Sequence, residues 1–281
     1  MRKKNTFNVS LKLSFINLFS KILTVVVRPM DKVLVLLGPK KYVLDFKNRQ
    51  DDIYIASFMG SGIEWLVMIL HQLTSRGNIT FKSIHEISPY LERSAQKNVD
   101  LGLLPSPRLI RTHAPYKFLP KKTEGRFIYL MRDGREEAVS LYQHYKRRRE
   151  QLQFDRFFTN YFLKKKVWFV HLAQWLSNKS KFNILYIKYE DLRDDPEGTI
   201  EKLINFCNLE IDEFLLPKIL EKCRLDYFLK HQRQFAPNDN LTVYQNQGQA
   251  SRYFNENHRR LYTGVFNEVL STFDLDCYNR N

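Results

Sequence analysis

Apolar and polar positions change rhythm several times along this chain of 281 residues. From Asp52 to Leu73, Ile53, Ile55 and Phe58 alternate with their neighbours as in a strand. Gly60, Ser61 and Gly62 then break the pattern, and Trp65 to Leu73 is apolar enough for a buried helix. RLIRTHAP, Arg108 to Pro115, predicts a short strand that ends at His113, because Pro115 blocks its continuation. RFIYLM, Arg126 to Met131, predicts a third strand leading directly into Arg132. Asp133 and Glu136 form a D-x-x-E capping signal for a helix running to about Tyr145. FNILYIKY, Phe182 to Tyr189, predicts a fourth strand, and Pro196 with Glu197 opens a helix to about Cys207. Short apolar strands alternating with helices predict an α/β fold with a central parallel β-sheet flanked by helices. The intervening Thr74–Pro107 region is polar, with helix-like fragments and no recognisable chemistry.

The N-terminal segment opens with Arg2, Lys3 and Lys4, and Leu11, Phe15, Leu18, Ile22 and Val25 fall near helical spacing. It reads as a helix packed on its own domain or, alternatively, as a basic amphipathic face for weak peripheral membrane contact. Lys12 and Lys21 interrupt any transmembrane span, and no small-residue cleavage site follows Val27. Two short apolar runs flank GPKK between Val33 and Phe46, predicting a hairpin or two extended pieces. No linker-like stretch divides the chain, so residues 1–281 are expected to form a single domain, with 1–50 contributing the N-terminal helix and short strands.

Composition narrows the partners only slightly. Lys plus Arg number 45 against 30 Asp plus Glu, a net charge of +15 that attracts nucleotides, polyanions or an anionic membrane alike. Cys207, Cys223 and Cys277 are odd in number and widely spaced, giving neither a disulfide framework nor a metal-ligand pattern. A reducing, cytoplasmic setting without a bound metal is the expectation. The basic runs Lys146–Arg149 and Lys164–Lys166 read as solvated faces, with polyanion binding as the other reading, and no aromatic pattern for base stacking accompanies them.

In parallel sheets, ligands bind beyond the C-terminal ends of the strands. That edge would gather the Gly60–Gly62 turn, whose helix N-terminus suits a phosphate or sulfate, with His113, Arg132 and Tyr189.

These residues, in this order, resemble the sulfotransferases that use 3′-phosphoadenosine 5′-phosphosulfate (PAPS), especially the soluble small-molecule branch. RDGREEAVS, Arg132 to Ser140, is similar to that family's RDPRDVAVS segment, which implies Arg132 and Ser140 as ligands of the 3′-phosphate. RTHAP resembles the family's KTHLP and implies His113 as catalytic base, with Arg111 in place of a lysine that contacts the transferring sulfuryl group. YEDL, with Asp195, Pro196 and Glu197 after it, resembles YEDL…DPE and implies Tyr189 near the adenine. FMGSGIEW resembles the family's YPKSGTTW loop, so Ser61, Gly62 and Trp65 are retained, Trp65 as the ring that stacks on adenine. Gly60 replaces the loop's lysine, and Ile63 and Glu64 replace two hydroxyl residues that contact the 5′-phosphate. Gly248 is kept from the late RKGxxGDWK loop, while Val243, Tyr244 and Gln245 stand where RKG is expected.

The resemblance spans roughly Asp51 to Leu270 and implies a P-loop-like nucleotide-binding sulfotransferase fold. It implies PAPS as sulfuryl donor and a small-molecule acceptor bearing a hydroxyl or amine, with no specific nucleic acid. The loops after Leu73, around Tyr145–Phe158 and across Gln232–Gln249, would line the acceptor pocket, the last as a lid. The missing loop lysine and RKG also admit a protein that keeps the fold but is catalytically weak or inactive. If the turn faces the leaving group, Gly60→Lys is expected to raise transfer. Ser251–Arg260 does not match the family's dimer motif, so no oligomeric state follows.

Overall fold

The computed structural model describes residues 47–94, 100–119, 124–147, 149–178, 183–235 and 248–273. The expected N-terminal helix, the Val33–Phe46 extended pieces and the Val243–Gln245 stretch lie outside the described residues. Four parallel strands form one sheet in the order β2-β1-β3-β4: β1 (Ile53–Ser57), β2 (Leu109–Thr112), β3 (Arg126–Met131) and β4 (Ile184–Lys188). The first strand therefore lies inside the sheet, and all five of its residues are buried. The fourth stops short of its expected end: Tyr189 instead opens a helix whose first turn carries Glu190 and Asp191, where carboxylates favour the helix dipole.

Alternation along the strands sends side chains to two different cores. Ile53, Ile55, Ile128 and Leu130 pack with α1 (Ile63–Thr74), which buries nine side chains. On the opposite face, Phe127 and Tyr129 contact Trp175 of a later helix at ring separations of 5.7 and 4.9 Å. Among the helices after α1 are α2 (Gly134–Lys146), α3 (Val167–Leu176, which carries Trp175), α4 (Tyr189–Asp194), α5 (Pro196–Cys207), α6 (Leu216–Cys223) and α7 (Glu256–Leu270). Asp133 caps α2 through the Arg135 N–H at 2.7 Å. Its expected capping partner Glu136 instead pairs with Arg132 at 3.5 Å and accepts the Ala250 N–H at 3.0 Å.

At the N-terminal edge of the sheet, Arg108 holds the Asp52 carboxylate through two bonds of 2.6 Å, joining the starts of β1 and β2. Both side chains are buried, and the Tyr54 hydroxyl adds a third bond to Asp52 at 3.1 Å. This end is closed by structure, which leaves the C-terminal edge for chemistry. Among the described residues, no helix is long and apolar enough to cross a membrane.

Candidate active site

Because the strands are parallel, the segments that leave them meet at one edge: the Phe58–Gly62 turn after β1, His113 after β2, Arg132 after β3 and Tyr189 after β4. Gly60 and Gly62 have φ of +103° and +87°, conformations that side chains rarely adopt. A Cβ on Gly60 would meet Ser140 Oγ at 2.7 Å and Glu137 Oε2 at 3.3 Å. The expectation for Gly60→Lys is corrected accordingly: in this backbone a lysine distorts the turn before it can offer a cation.

Glu137 lies beneath that turn. The Ser61 hydroxyl is 2.7 Å from the Phe58 carbonyl oxygen and makes a short contact with Glu137 Oε1. Ser61 has one proton to give, so when it serves Phe58 the proton in the Glu137 contact is the carboxyl's own. Burial is the main force pushing the Glu137 carboxyl up to about 8, against the lowering influence of Arg132.

His113 is held from several sides. Its Nδ1 lies 3.0 Å from the Ser57 carbonyl oxygen, which fixes the Nδ1–H tautomer, and its backbone N–H donates to Glu92 Oε1 at 2.5 Å. Nε2 lies 3.1 Å from the Tyr90 hydroxyl, which is 3.2 Å from Glu64 Oε1. Behind it, His171 Nε2 donates to the His113 carbonyl oxygen at 3.2 Å, while His171 Nδ1 accepts from Tyr129 at 2.8 Å. Burial lowers His171 to about 4, so it stays a neutral brace.

Arg111 shares the strand face of His113 but is 1% exposed. Its Nε donates to the Ser88 carbonyl at 2.7 Å, Nη2 lies 3.0 Å from His85 Nδ1, and Nη1 pairs with Glu64 at 3.7 Å. Glu64, beside the phosphate-type turn, is thus offset by a cation.

At the other side of the turn, Arg132 Nη1 donates to the Gly60 carbonyl oxygen at 3.1 Å, and Ser140 Oγ approaches the same oxygen at 3.5 Å. The Arg132 guanidinium also lies 4.8 Å over the Tyr189 ring. Arg132, Tyr189 and Gly248 border a cavity of about 760 Å³, to which Arg135, Arg193, Arg259 and the buried Lys188 add positive charge and Asp133, Glu136 and Glu190 negative charge. Residues Gly60 to Trp65 and Ser140 are not on its walls. Ile63 and Trp65 are buried, and the Trp65 N–H is spent on the Cys223 carbonyl oxygen at 2.9 Å, its ring edge-to-face with Tyr189 at 5.5 Å. Among the described residues, no group of three or more His, Cys, Asp or Glu could hold a metal ion.

Sequence reasoning missed Tyr90, Glu92, Glu137 and His171. Tyr90 and Glu92 come from the region read as featureless, where Tyr90 forms an isolated bridge to Arg111. Glu137 was in plain view within RDGREEAVS, but two adjacent glutamates in a first helical turn carry no sign that one is buried.

A parallel sheet whose C-terminal edge gathers a glycine turn, a braced histidine and a basic, aromatic-walled cavity defines the α/β class that holds phosphorylated ligands beyond its strands. Comparison with known proteins narrows that class: residues 50–260 match the sulfotransferase domain, so the chain belongs to the sulfotransferase family and has the α/β fold of those enzymes. It is 30% identical over 195 residues to mouse sulfotransferase 1 family member D1, covering 63% of this chain and 66% of that one. To mouse sulfotransferase 4A1 it is 31% identical over 200 residues, covering 66% and 70%, and to rabbit amine sulfotransferase 32% over 182 residues, covering 60% of each. The matched segment thus spans about two thirds of the first two relatives. The fold is similar to mouse sulfotransferase SULT7A1 complexed with PAP, with a TM-score of 0.70 at 23% identity over 86% of this chain and 93% of that one. It is also similar to retinol dehydratase in complex with androsterone and inactive cofactor PAP, with a TM-score of 0.69 at 18% identity over 85% and 86%.

Proposed function

We propose that this chain is a PAPS-dependent sulfotransferase that moves a sulfuryl group to a hydroxyl or amine of a small-molecule acceptor, with His113 as general base. The observation that carries this reading is the His113 ring, its Nδ1 committed to the Ser57 carbonyl oxygen and its Nε2 left with the basic lone pair at the strand edge. A base positioned in this way is worth a factor of about 10² to 10⁴.

The donor end fits a phosphorylated nucleotide. Arg132 and Ser140 converge on one oxygen at distances a phosphate oxygen could take over, Tyr189 offers an aromatic wall, and the adjoining cavity is rich in guanidinium groups. Arg111 supports the reaction from within by balancing Glu64. The neighbours complexed with PAP support PAPS as donor, and the matched span of residues 50–260 is in keeping with one domain whose family resemblance begins near residue 51.

Titration with the product nucleotide 3′-phosphoadenosine 5′-phosphate (PAP) and an acceptor panel with labelled PAPS test the reading together. Transfer is expected from the unaltered chain, with a loss of about 10²-fold or more in His113→Ala and a smaller loss in Arg111→Ala. Turnover in both variants equal to the unaltered chain would sink the assignment. A second reading, a nucleotide-binding protein of weak or no catalysis, is favoured by the buried carboxyl under a turn that has no lysine. It predicts PAP binding with no transfer to any acceptor.

A further inference from the structure

Glu64 stands where the family's loop has a hydroxyl residue, and the Tyr90 hydroxyl bridges it to the nitrogen assigned as the base. Tyr90 has one proton and two neighbours able to take it. When His113 is neutral, Nδ1–H is given to Ser57, and Tyr90 donates to the free Nε2 lone pair. When Nε2 carries a proton, the direction reverses: Nε2–H donates to the phenol oxygen and the phenol donates to Glu64 Oε1. The second arrangement holds one proton more, on Nε2, and has the phenol O–H turned to Glu64, so that proton can pass along a line of contacts of 3.1 and 3.2 Å.

We propose that Glu64, Tyr90 and His113 form a proton relay that clears the acceptor's proton from the sulfuryl-transfer site. The inference rests on the sulfotransferase reading above. In that reaction the acceptor's oxygen or nitrogen forms its bond to sulfur as the bond from sulfur to the 5′-phosphate oxygen breaks, and the electron pair of that bond stays with the leaving phosphate. The acceptor displaces Tyr90 from Nε2 and gives its proton to that nitrogen. Once the sulfated product leaves, Tyr90 returns, accepts the proton from Nε2 and hands its own to Glu64. Tyr90 and His113 end as they began, and one proton has passed from acceptor to Glu64.

Four further features suit this role. Arg111 pairs with Glu64 at 3.7 Å and lies 4.2 Å over the Tyr90 ring, so positive charge follows the relay along its length. His85, on the far side of Arg111, and Glu92, on the His113 backbone, fix the surrounding charges without touching Nε2. Burial and the Glu64 carboxylate push the Tyr90 phenol above its ordinary range, so it passes a proton rather than resting as a phenolate. Glu64 is 16% exposed and can shed the proton to solvent.

The test compares the unaltered chain, Tyr90→Phe, Glu64→Gln and Glu64→Asp, using the acceptor found in the panel. Expected are a fall in kcat of about tenfold or more in Tyr90→Phe and Glu64→Gln, partial recovery in Glu64→Asp, and PAP affinity within about threefold of the unaltered chain. Imidazole added as a mobile proton carrier is expected to restore part of the lost rate in Tyr90→Phe, which a packing defect would not show. A Tyr90→Phe variant with unaltered kcat, or with a deficit indifferent to imidazole, overturns the relay while leaving the sulfotransferase reading intact. Failure of the unaltered chain to sulfate any acceptor overturns both. Should Glu64→Gln fail to fold for want of its Arg111 partner, Tyr90→Phe still decides.

Discussion

Glu137 lies fully buried beneath Gly60, with Ser61 on one oxygen and no hydrogen-bond partner for the other among the described residues. Its neighbours of like sign, Glu190 and Asp133, oppose its ionisation, Tyr129 lies close by, and Arg132 favours the charge. A neutral acid there tolerates an anion on the turn, whereas a carboxylate repels it. PAP affinity is therefore expected to fall as pH rises through about 8, and this step is expected to vanish in Glu137→Gln. Calorimetry across that range checks it, since the nucleotide's own ionisation is common to both proteins; equal pH slopes would exclude a role for Glu137. Stability follows the same sign. The folded value of about 8 lies above the ordinary 4.5, so the stabilisation is complete below 4.5 and is lost as pH climbs towards 8. Residue identities were legible here and depths were not. The resemblance of RDGREEAVS implied Arg132 and Ser140 as ligands of one phosphate, and the structure brings both to the Gly60 carbonyl, but which glutamate turns inward is decided by the rotation of α2 against the turn.

At the scale of elements, the Asp52–Arg108 pair joins β1 to β2 at the end of the sheet away from the site. Removing one partner of a buried pair strands the other, at about 3–5 kcal/mol. Asp52→Ala is expected to lower the unfolding free energy by that order, read by denaturant titration, and to leave the PAP affinity of the folded fraction unchanged; a loss below about 1 kcal/mol would mean that water takes over the role of Asp52. The strands were readable because each is a short apolar run bounded by a turn, the α1 helix because its apolar stretch is long, and α5 because Pro196 and Glu197 mark its start. Thr74–Pro107 was not readable, because its helices Ile84–Ile87 and Leu91–Ser94 are single turns fixed by tertiary contacts. Tyr90 is placed by pairing with β2, a long-range event that no local pattern announces.

Over the whole molecule, the excess of 45 basic over 30 acidic residues foretold an anionic partner without saying where it would bind. The cavity beside Tyr189 gives part of that charge a location, with Arg132, Arg135, Arg193, Arg259 and Lys188 outnumbering Asp133, Glu136 and Glu190 around one volume. PAP affinity is accordingly expected to drop about tenfold or more between roughly 50 and 500 mM salt. Fluorescence or calorimetric titration measures this, and an affinity indifferent to salt would mean that these cations do not face the nucleotide. The parallel sheet followed from the alternation of strands and helices, and so did the edge where the site lies, but the strand order did not. The cavity's C-terminal wall did not, since Gly248 was the one residue of its loop that could be matched.

On the proposed reading, the Gly60 carbonyl oxygen, shared by Arg132 and Ser140, would act as a chemical filter. The chain supplies its own oxygen to the two groups which that reading assigns to a phosphate, so an anion would have to displace it. Chloride, bicarbonate and other small monoanions gain too little from displacing an internal hydrogen bond made by a charged donor, worth about 1.5–3 kcal/mol, to accumulate there. A dianionic phosphate, with several acceptor oxygens and roughly twice the hydrogen-bond strength per contact, gains enough. On that reading, selectivity against small monoanions would be set by a backbone atom before any ligand arrives.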